Sequence, residues 1–243
     1  MNDVTEGIVL SNMEYREKDA LVSVLTKDFG RITFVAKGVL SIQSKNAPGC
    51  TPYTTSEFSF DYKEGKTVFP LKTAKMNNSR RALREDLDLL SFAGLLCELS
   101  EKASEQGVKE TELYEALDNA LNNLKKDRYL SCCLFLAWLQ RFVGVEPVVD
   151  QCVICGKTTV SSISIKEGGF VCSGCQQHVA SKNCTLDDLI HFRVASKAGF
   201  EHFDILQKKY VFSFNDVRIM MDFLLHHTGM RLHSWTLIHS LMD

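Results

Sequence analysis

A chain of 243 residues, 45% hydrophobic and 24% charged, has the balance of an ordinary globular protein and room for one large domain or two to three small ones. Its net charge of −2 gives no global sign of a nucleic-acid partner. The start, MNDVTEGIVL, lacks the basic and apolar regions of a signal peptide, and no apolar run approaches a membrane span, so a cytoplasmic setting is expected, where paired cysteines favour metal or redox roles over disulfides. The charge is unevenly distributed. Residues 1–80 hold 11 Lys and Arg against 9 Asp and Glu, residues 81–150 hold 8 against 13, and residues 151–243 hold 9 against 8. An anionic ligand should therefore prefer the flanks to the middle.

Residues 5–75 alternate like strands. Ile32, Phe34 and Ala36 share one face while Arg31, Thr33 and Lys37 share the other; Phe58, Phe60 and Tyr62 likewise oppose Glu57, Ser59, Asp61 and Lys63. With Gly7–Leu10, Ala20–Thr26 and Thr67–Thr73, this predicts about five short strands separated by turns such as Asp28-Phe29-Gly30 and Glu64-Gly65. Five antiparallel strands in a segment of this length suit a small closed barrel, of which the OB-fold is the commonest candidate. The three aromatics read as barrel core rather than as a base-stacking platform.

From Ser79 the period changes to helical. Leu83, Leu87, Leu90 and Gly94 mark one face, a break falls at Gln106-Gly107, and Leu113, Leu117, Ala120, Leu121 and Leu124 mark a second helix. Residues 129–143, YLSCCLFLAWLQRFV, are apolar nearly all round and read as a buried third helix; Thr185–Phe192 and Asn215–Thr228 are two more. The expected fold is α+β: a barrel over 1–78, then a helical domain over 79–243 carrying an inserted hairpin at 150–178.

That hairpin holds the strongest motif. Cys152, Cys155, Cys172 and Cys175 form two Cys-x-x-Cys pairs sixteen residues apart, the spacing of a zinc ribbon. Between them, Ser161 to Ile165 reads as a strand, Glu167-Gly168-Gly169 as a turn and Phe170-Val171 as the return strand. Four thiolates around one zinc leave no open position for water or substrate, so the expected ion is structural. A thioredoxin-like redox pair would need one Cys-x-x-Cys to open a helix after a strand, and neither pair reads that way. Cys97, Cys132 and Cys133 read as small core residues, while Cys50 and Cys184 are isolated.

Catalytic signatures do not emerge. A phosphate-binding glycine loop, a G-x-S-x-G elbow and an H-E-x-x-H helix are all missing. His226, His227, His233 and His239 lack clean ligand spacing and read as surface or packing residues, and Asp86 and Asp88 cannot face each other on a helix. A non-enzymatic protein is expected.

Residues 7–39, GIVLSNMEYREKDALVSVLTKDFGRITFVAKGV, resemble the opening of the RecO family of bacterial recombination mediators, through Gly7, Val9, Leu10, Tyr15, Glu17, Asp19, Leu21, Thr26, Gly30, Ala36, Lys37 and Gly38. RRALREDLDLL at 80–90, the four-cysteine hairpin and FLLHHTGMRLHS at 223–234 are similar to later parts of the same family, in the same order. The resemblance implies binding to single- and double-stranded DNA, annealing of complementary strands, contact with the acidic tail of the single-strand-binding protein SSB, and loading of RecA together with RecR. It also implies a bacterial, nucleoid-associated protein. Relatives commonly follow Gly38 with a basic run, whereas VLSIQSKNAPGC here carries Lys45 alone. The DNA contacts expected from this reading are Lys27, Arg31, Lys37 and Lys45 in the barrel and Arg80, Arg81 and Arg84 beside it, each with solvated surface charge as its plain alternative.

Overall fold

The computed structural model describes residues 3–242, which form two compact units, one of residues up to Lys125 together with those from Leu232, the other of Lys126–Arg231. In the first unit six strands make one sheet: β1 (Asp3–Glu14), β2 (Ala20–Thr26), β3 (Gly30–Ala36), β4 (Thr55–Phe60), β5 (Val68–Pro70) and β6 (Thr73–Asn78). Their order is β5-β3-β2-β1-β4-β6. The last two are one bent segment. Its first half runs parallel to β3, with Phe69 opposite Phe34, and its second half runs antiparallel to β4, with Ala74 opposite Phe58. At the bend Leu71 N–H donates to the Val35 carbonyl at 3.1 Å, and Lys72 N–H donates to that of Ser59 at 3.0 Å. One bent strand thus closes the sheet into a barrel of the expected OB-fold type, and it runs on to Asn78, past the Thr67–Thr73 expected from the alternation.

The barrel interior is aromatic. Phe34 stacks on Phe58 at 5.1 Å and meets Phe60 edge-on at 5.1 Å, and Phe69 lies 5.0 Å from Phe60. All four are buried, each contributing about 1.5–3 kcal/mol. Tyr62 instead stays partly exposed and packs against Phe29 at 4.7 Å. Ile8 and Leu25, paired on the opposite face from Val9 and Val24, are buried as well. The short α1 (Ala82–Glu85) packs against α2 (Leu87–Ala103), and α2 and α3 (Thr111–Asn123) cover that face by packing on β1. Asp86 splits the single helix expected from Ser79, because it takes an extended backbone and its carboxylate caps the Leu89 N–H at 3.0 Å. The break at Gln106-Gly107 also has a packing role. Gly107 N–H donates to the Arg31 carbonyl at 2.9 Å, bringing the chain so near Gly30 that a Cβ there would lie 1.9 Å from the Val108 oxygen.

In the second unit α4 (Arg128–Phe142) packs against α6 (Leu186–Lys197), α7 (Phe203–Lys209) and α8 (Phe214–Thr228). Cys132 and Cys133 are fully buried on α4, and burial pushes both thiols far up. Thr185 and Ser213 begin α6 and α8 with capping boxes closed by Asp188 and Asp216, and Gly229 ends α8 in the left-handed conformation. Between α4 and α6 lies a small sheet of β7 (Ser162–Ser164), β8 (Gly169–Val171) and β9 (Lys182–Asn183), with a single helical turn, α5 (Ser173–Gln176), after β8. The last helix, α9 (His233–Met242), belongs to the first unit, where the Glu98 carboxylate accepts from His233 N–H at 2.9 Å and Ser234 N–H at 2.8 Å.

Candidate metal centre and nucleic-acid interface

Two tight turns bring the four cysteines together. In the first, Cys152 N–H donates to the Lys157 carbonyl at 2.7 Å and Gly156 N–H returns to the Cys152 carbonyl at 2.9 Å; in the second, Cys175 N–H donates to the Cys172 carbonyl at 3.1 Å. The pairing of β7 with β8, Ile163 opposite Phe170, sets one turn beside the other. Gly169 permits this closure, since a Cβ there would sit 2.2 Å from the Val148 oxygen. The Sγ atoms of Cys152, Cys155, Cys172 and Cys175 all lie within 4.8 Å of one another, and Cys155 Sγ is 3.6 Å from Cys172 Sγ. Zinc–sulfur bonds of about 2.3 Å require sulfurs about 3.8 Å apart in a tetrahedron, so the donor set fits that ion.

The electrostatics of the turns agree with the fit. Burial works against ionisation of Cys152, but the N–H groups of Cys172, Cys155 and Ile154 outweigh it and bring the thiol down to about 6. The N–H of Cys175 lowers Cys172 likewise. Cys175 is pushed up to about 12, because hydrogen bonding with the Cys155 and Cys172 side chains favours its protonated form. Four converging sulfurs, two of them with lowered thiol values, are a ligand set for a thiophilic dication. One detail differs from the sequence reading: the second pair does open a helical turn after a strand, with Cys172 at the N-cap of α5. That helix is only four residues long, and the other pair faces it.

The histidines stand apart from this cluster. His227 Nε2 lies 2.7 Å from the Ile165 carbonyl, tying α8 to the hairpin, and His233 begins α9. Among the described residues, the cysteine cluster is the one group with metal-ligand geometry.

The cations expected to touch DNA fall into two sets. Arg80 is buried, its side chain 4% exposed, and all three of its nitrogens have partners. Nε donates to Asn122 Oδ1 at 2.8 Å, Nη1 to the Tyr53 carbonyl and Thr55 Oγ1, both at 2.9 Å, and Nη2 to the Asp118 carboxylate. Arg80 is therefore an internal clamp between barrel and α3, a role that a charge count along the chain misses. Arg31 is engaged in a similar way: Nε donates to Ser104 Oγ at 2.8 Å, Nη2 to the Ser104 carbonyl at 3.3 Å, and Nη1 lies 3.8 Å from Glu101. Arg84 reaches the Pro52 carbonyl at 3.0 Å, and Arg81 pairs with Glu85 one turn along. Lys27, Lys37 and Lys45 are exposed and make no ion pair among the described residues. Lys37 and Lys45 stand in or beside the 37–47 segment at one barrel end; Lys27 stands in the β2–β3 turn at the other.

Residues 1–80 match the family described as Recombination protein O N terminal, and residues 84–192 match Recombination protein O C terminal. The chain belongs to the RecO family. It is 32% identical over 176 residues to the DNA repair protein RecO of Alkaliphilus metalliredigens, covering 70% of this chain and 71% of that one. Its identity to the DNA repair protein RecO of Bacillus pumilus is 31% over 174 residues, and to that of Listeria monocytogenes serotype 4b 29% over 173, each covering 70% of this chain and 67% of the relative. This is a RecO-family DNA repair protein with an OB-type barrel and a four-cysteine cluster. No described helix is long and apolar enough to cross a membrane.

Proposed function

We propose that this RecO-family chain is a recombination mediator of the bacterial nucleoid. In this reading it binds single- and double-stranded DNA, anneals complementary strands, contacts the SSB tail, and with RecR helps RecA load onto SSB-coated DNA. It carries out no covalent chemistry. One observation carries the reading: the family match covers both an OB-type barrel and the domain that follows it. An OB barrel suits single strands because its curved face presents cations to phosphates and leaves bases free to stack. Within it, Lys27, Lys37 and Lys45 are the phosphate contacts, since their charges are not occupied elsewhere in the fold. The four-cysteine hairpin holds one structural zinc and supplies rigidity rather than reactivity.

Lys45 is the lone cation of the loop after Gly38, and Arg31 and Arg80 are turned inward, which favours a second reading: an adapter that reaches DNA through SSB and RecR. Anisotropy of a labelled single-stranded oligonucleotide, titrated at low and then physiological salt, separates the two. Affinity that falls steeply with salt supports the mediator. Folded, zinc-loaded protein that binds no strand even at low salt supports the adapter.

A further inference from the structure

The tip of the β1–β2 hairpin is unusual in three ways at once. Tyr15 is 40% exposed, with the Arg16 guanidinium over its ring at 5.1 Å from the centroid. Arg16 holds a backbone φ of +103°, a region that costs a non-glycine residue about 1–3 kcal/mol and is kept only where neighbours enforce it. The enforcement is visible: Tyr15 N–H donates to the Asp19 carbonyl at 2.9 Å, and one Asp19 carboxylate oxygen accepts the Gly38 N–H at 2.8 Å.

The segment after β3 docks on this tip. Leu40 N–H donates to the Lys18 carbonyl at 3.0 Å, and the registers that align Glu14 with Ala20 and Ala20 with Ala36 put both segments at one end of the barrel. Met13 is 64% exposed here, Leu40 40%, and Ile42 lies wholly in solvent. Around them stand Arg16, Lys18, Lys37 and Lys45, none in an ion pair among the described residues, against the exposed carboxylates of Glu14 and Glu17.

We infer that this barrel end is a base-stacking contact for single-stranded nucleic acid, with Tyr15 backed by Arg16 as the stacking platform, and Lys18, Lys37 and Lys45 taking the flanking phosphates. The inference rests on the proposed strand-binding function and assigns the bases a place within it. Apolar surface alternating with cations is what a strand presents in complement, rings alternating with phosphates. The loop between the first two strands of an OB barrel is a position from which such folds reach oligonucleotides. A fixed aromatic ring with a cation behind it accepts any base, so the contact is tolerant of sequence.

The test compares a single-stranded oligothymidylate with an abasic strand of the same length, which keeps the phosphates and lacks the bases. Wild-type protein should bind the base-bearing strand more tightly. Tyr15→Ala should weaken that binding about 5- to 150-fold, the range of one stacked base, and leave the abasic strand unchanged. Tyr15→Phe should retain wild-type affinity for both. Equal binding of both strands by the wild type, or a Tyr15→Ala variant that keeps the preference, overturns the inference while strand binding itself stands. If folded wild-type protein binds neither strand, the proposed function fails and the inference with it. If Tyr15→Ala instead changes only the sedimentation behaviour, the patch joins copies of the chain and the inference is wrong.

Discussion

The barrel and the cysteine hairpin are both small β structures, stabilised by opposite means. The barrel encloses four buried phenylalanines in mutual contact and is covered on its outer face by helices. The hairpin has strands of three residues and a core of Cys152, Val171 and Cys172, with partly buried valines beside it. Two of the three buried residues in that core, Cys152 and Cys172, belong to the four-cysteine cluster itself. A unit packed on aromatic rings tolerates loss of one polar group at its edge; a unit built around its ligands does not.

The widest separation between the two comes from removing a ligand. Cys152→Ser should abolish bound zinc and unfold the hairpin, because metal binding supplies about 10–16 kcal/mol to isolated zinc-finger units. Metal analysis should fall from one ion per chain to none, with amide protection lost at residues 152–183 and retained in β1–β4. A variant that keeps its zinc and its melting temperature would show that the hairpin is packed like the barrel, and the contrast would collapse.

Arg80 is the corresponding weak point of the barrel unit. Arg80→Ala leaves Asp118 without its buried cation and the Tyr53 carbonyl and Thr55 hydroxyl without their donor, which should cost about 3–5 kcal/mol. Chemical denaturation would measure it. Strand affinity per folded molecule should not change, and a fall in affinity without a fall in stability would return Arg80 to the DNA surface.

A smaller effect is expected where α9 joins the same unit. Burial tends to raise the Glu98 carboxyl, but the donors on Ser234 and His233 outweigh it and hold it below its ordinary value of 4.5. A depressed folded value means that the contribution is present in full above the unfolded carboxylate range and disappears as pH falls through the folded one. Glu98→Gln should cost about 1 kcal/mol near neutrality, within the range of a capping interaction, with partial exposure keeping it low. The gap from wild type should narrow as pH falls below the ordinary carboxyl range in acid melts, and close once it has passed the lowered value of the folded state. A gap independent of pH would mean that shape, and not charge, holds α9.

These contrasts also explain what could be read in advance. Strand alternation at Ile32, Phe34 and Ala36 and the cysteine spacing are local signals, and both the barrel and the four-cysteine cluster followed from them. The bend at Leu71-Lys72 is not local: it exists because two strands far apart in the chain, β3 and β4, each need a partner. The return of α9 to the first unit and the inward turn of Arg80 are equally tertiary. Arg80 and Arg81 are neighbours of one residue type, and only the positions of Asp118, Asn122 and Thr55 decide which is buried. The sequence signal for the hairpin tip was present in Tyr15-Arg16, an aromatic beside a cation in a turn, but exposure and backbone conformation are what single it out.

The finest test concerns two cations that share one barrel strand and its extension. Arg31 and Lys37 lie on the same face by alternation, yet Arg31 is bonded to Ser104 and Lys37 is exposed. Arg31→Ala removes two internal hydrogen bonds and should lower stability by about 1–2 kcal/mol while leaving the salt dependence of strand binding intact. Lys37→Ala should do the reverse: stability unchanged within about 0.5 kcal/mol, and the slope of log affinity against log salt reduced by about 0.7, the value of one neutralised phosphate on a single strand. The pair of measurements decides more than either residue alone. If both variants flatten the slope, the strand passes along the whole face and the bonds to Ser104 give way on binding. If neither does, the phosphates are met by cations other than these two.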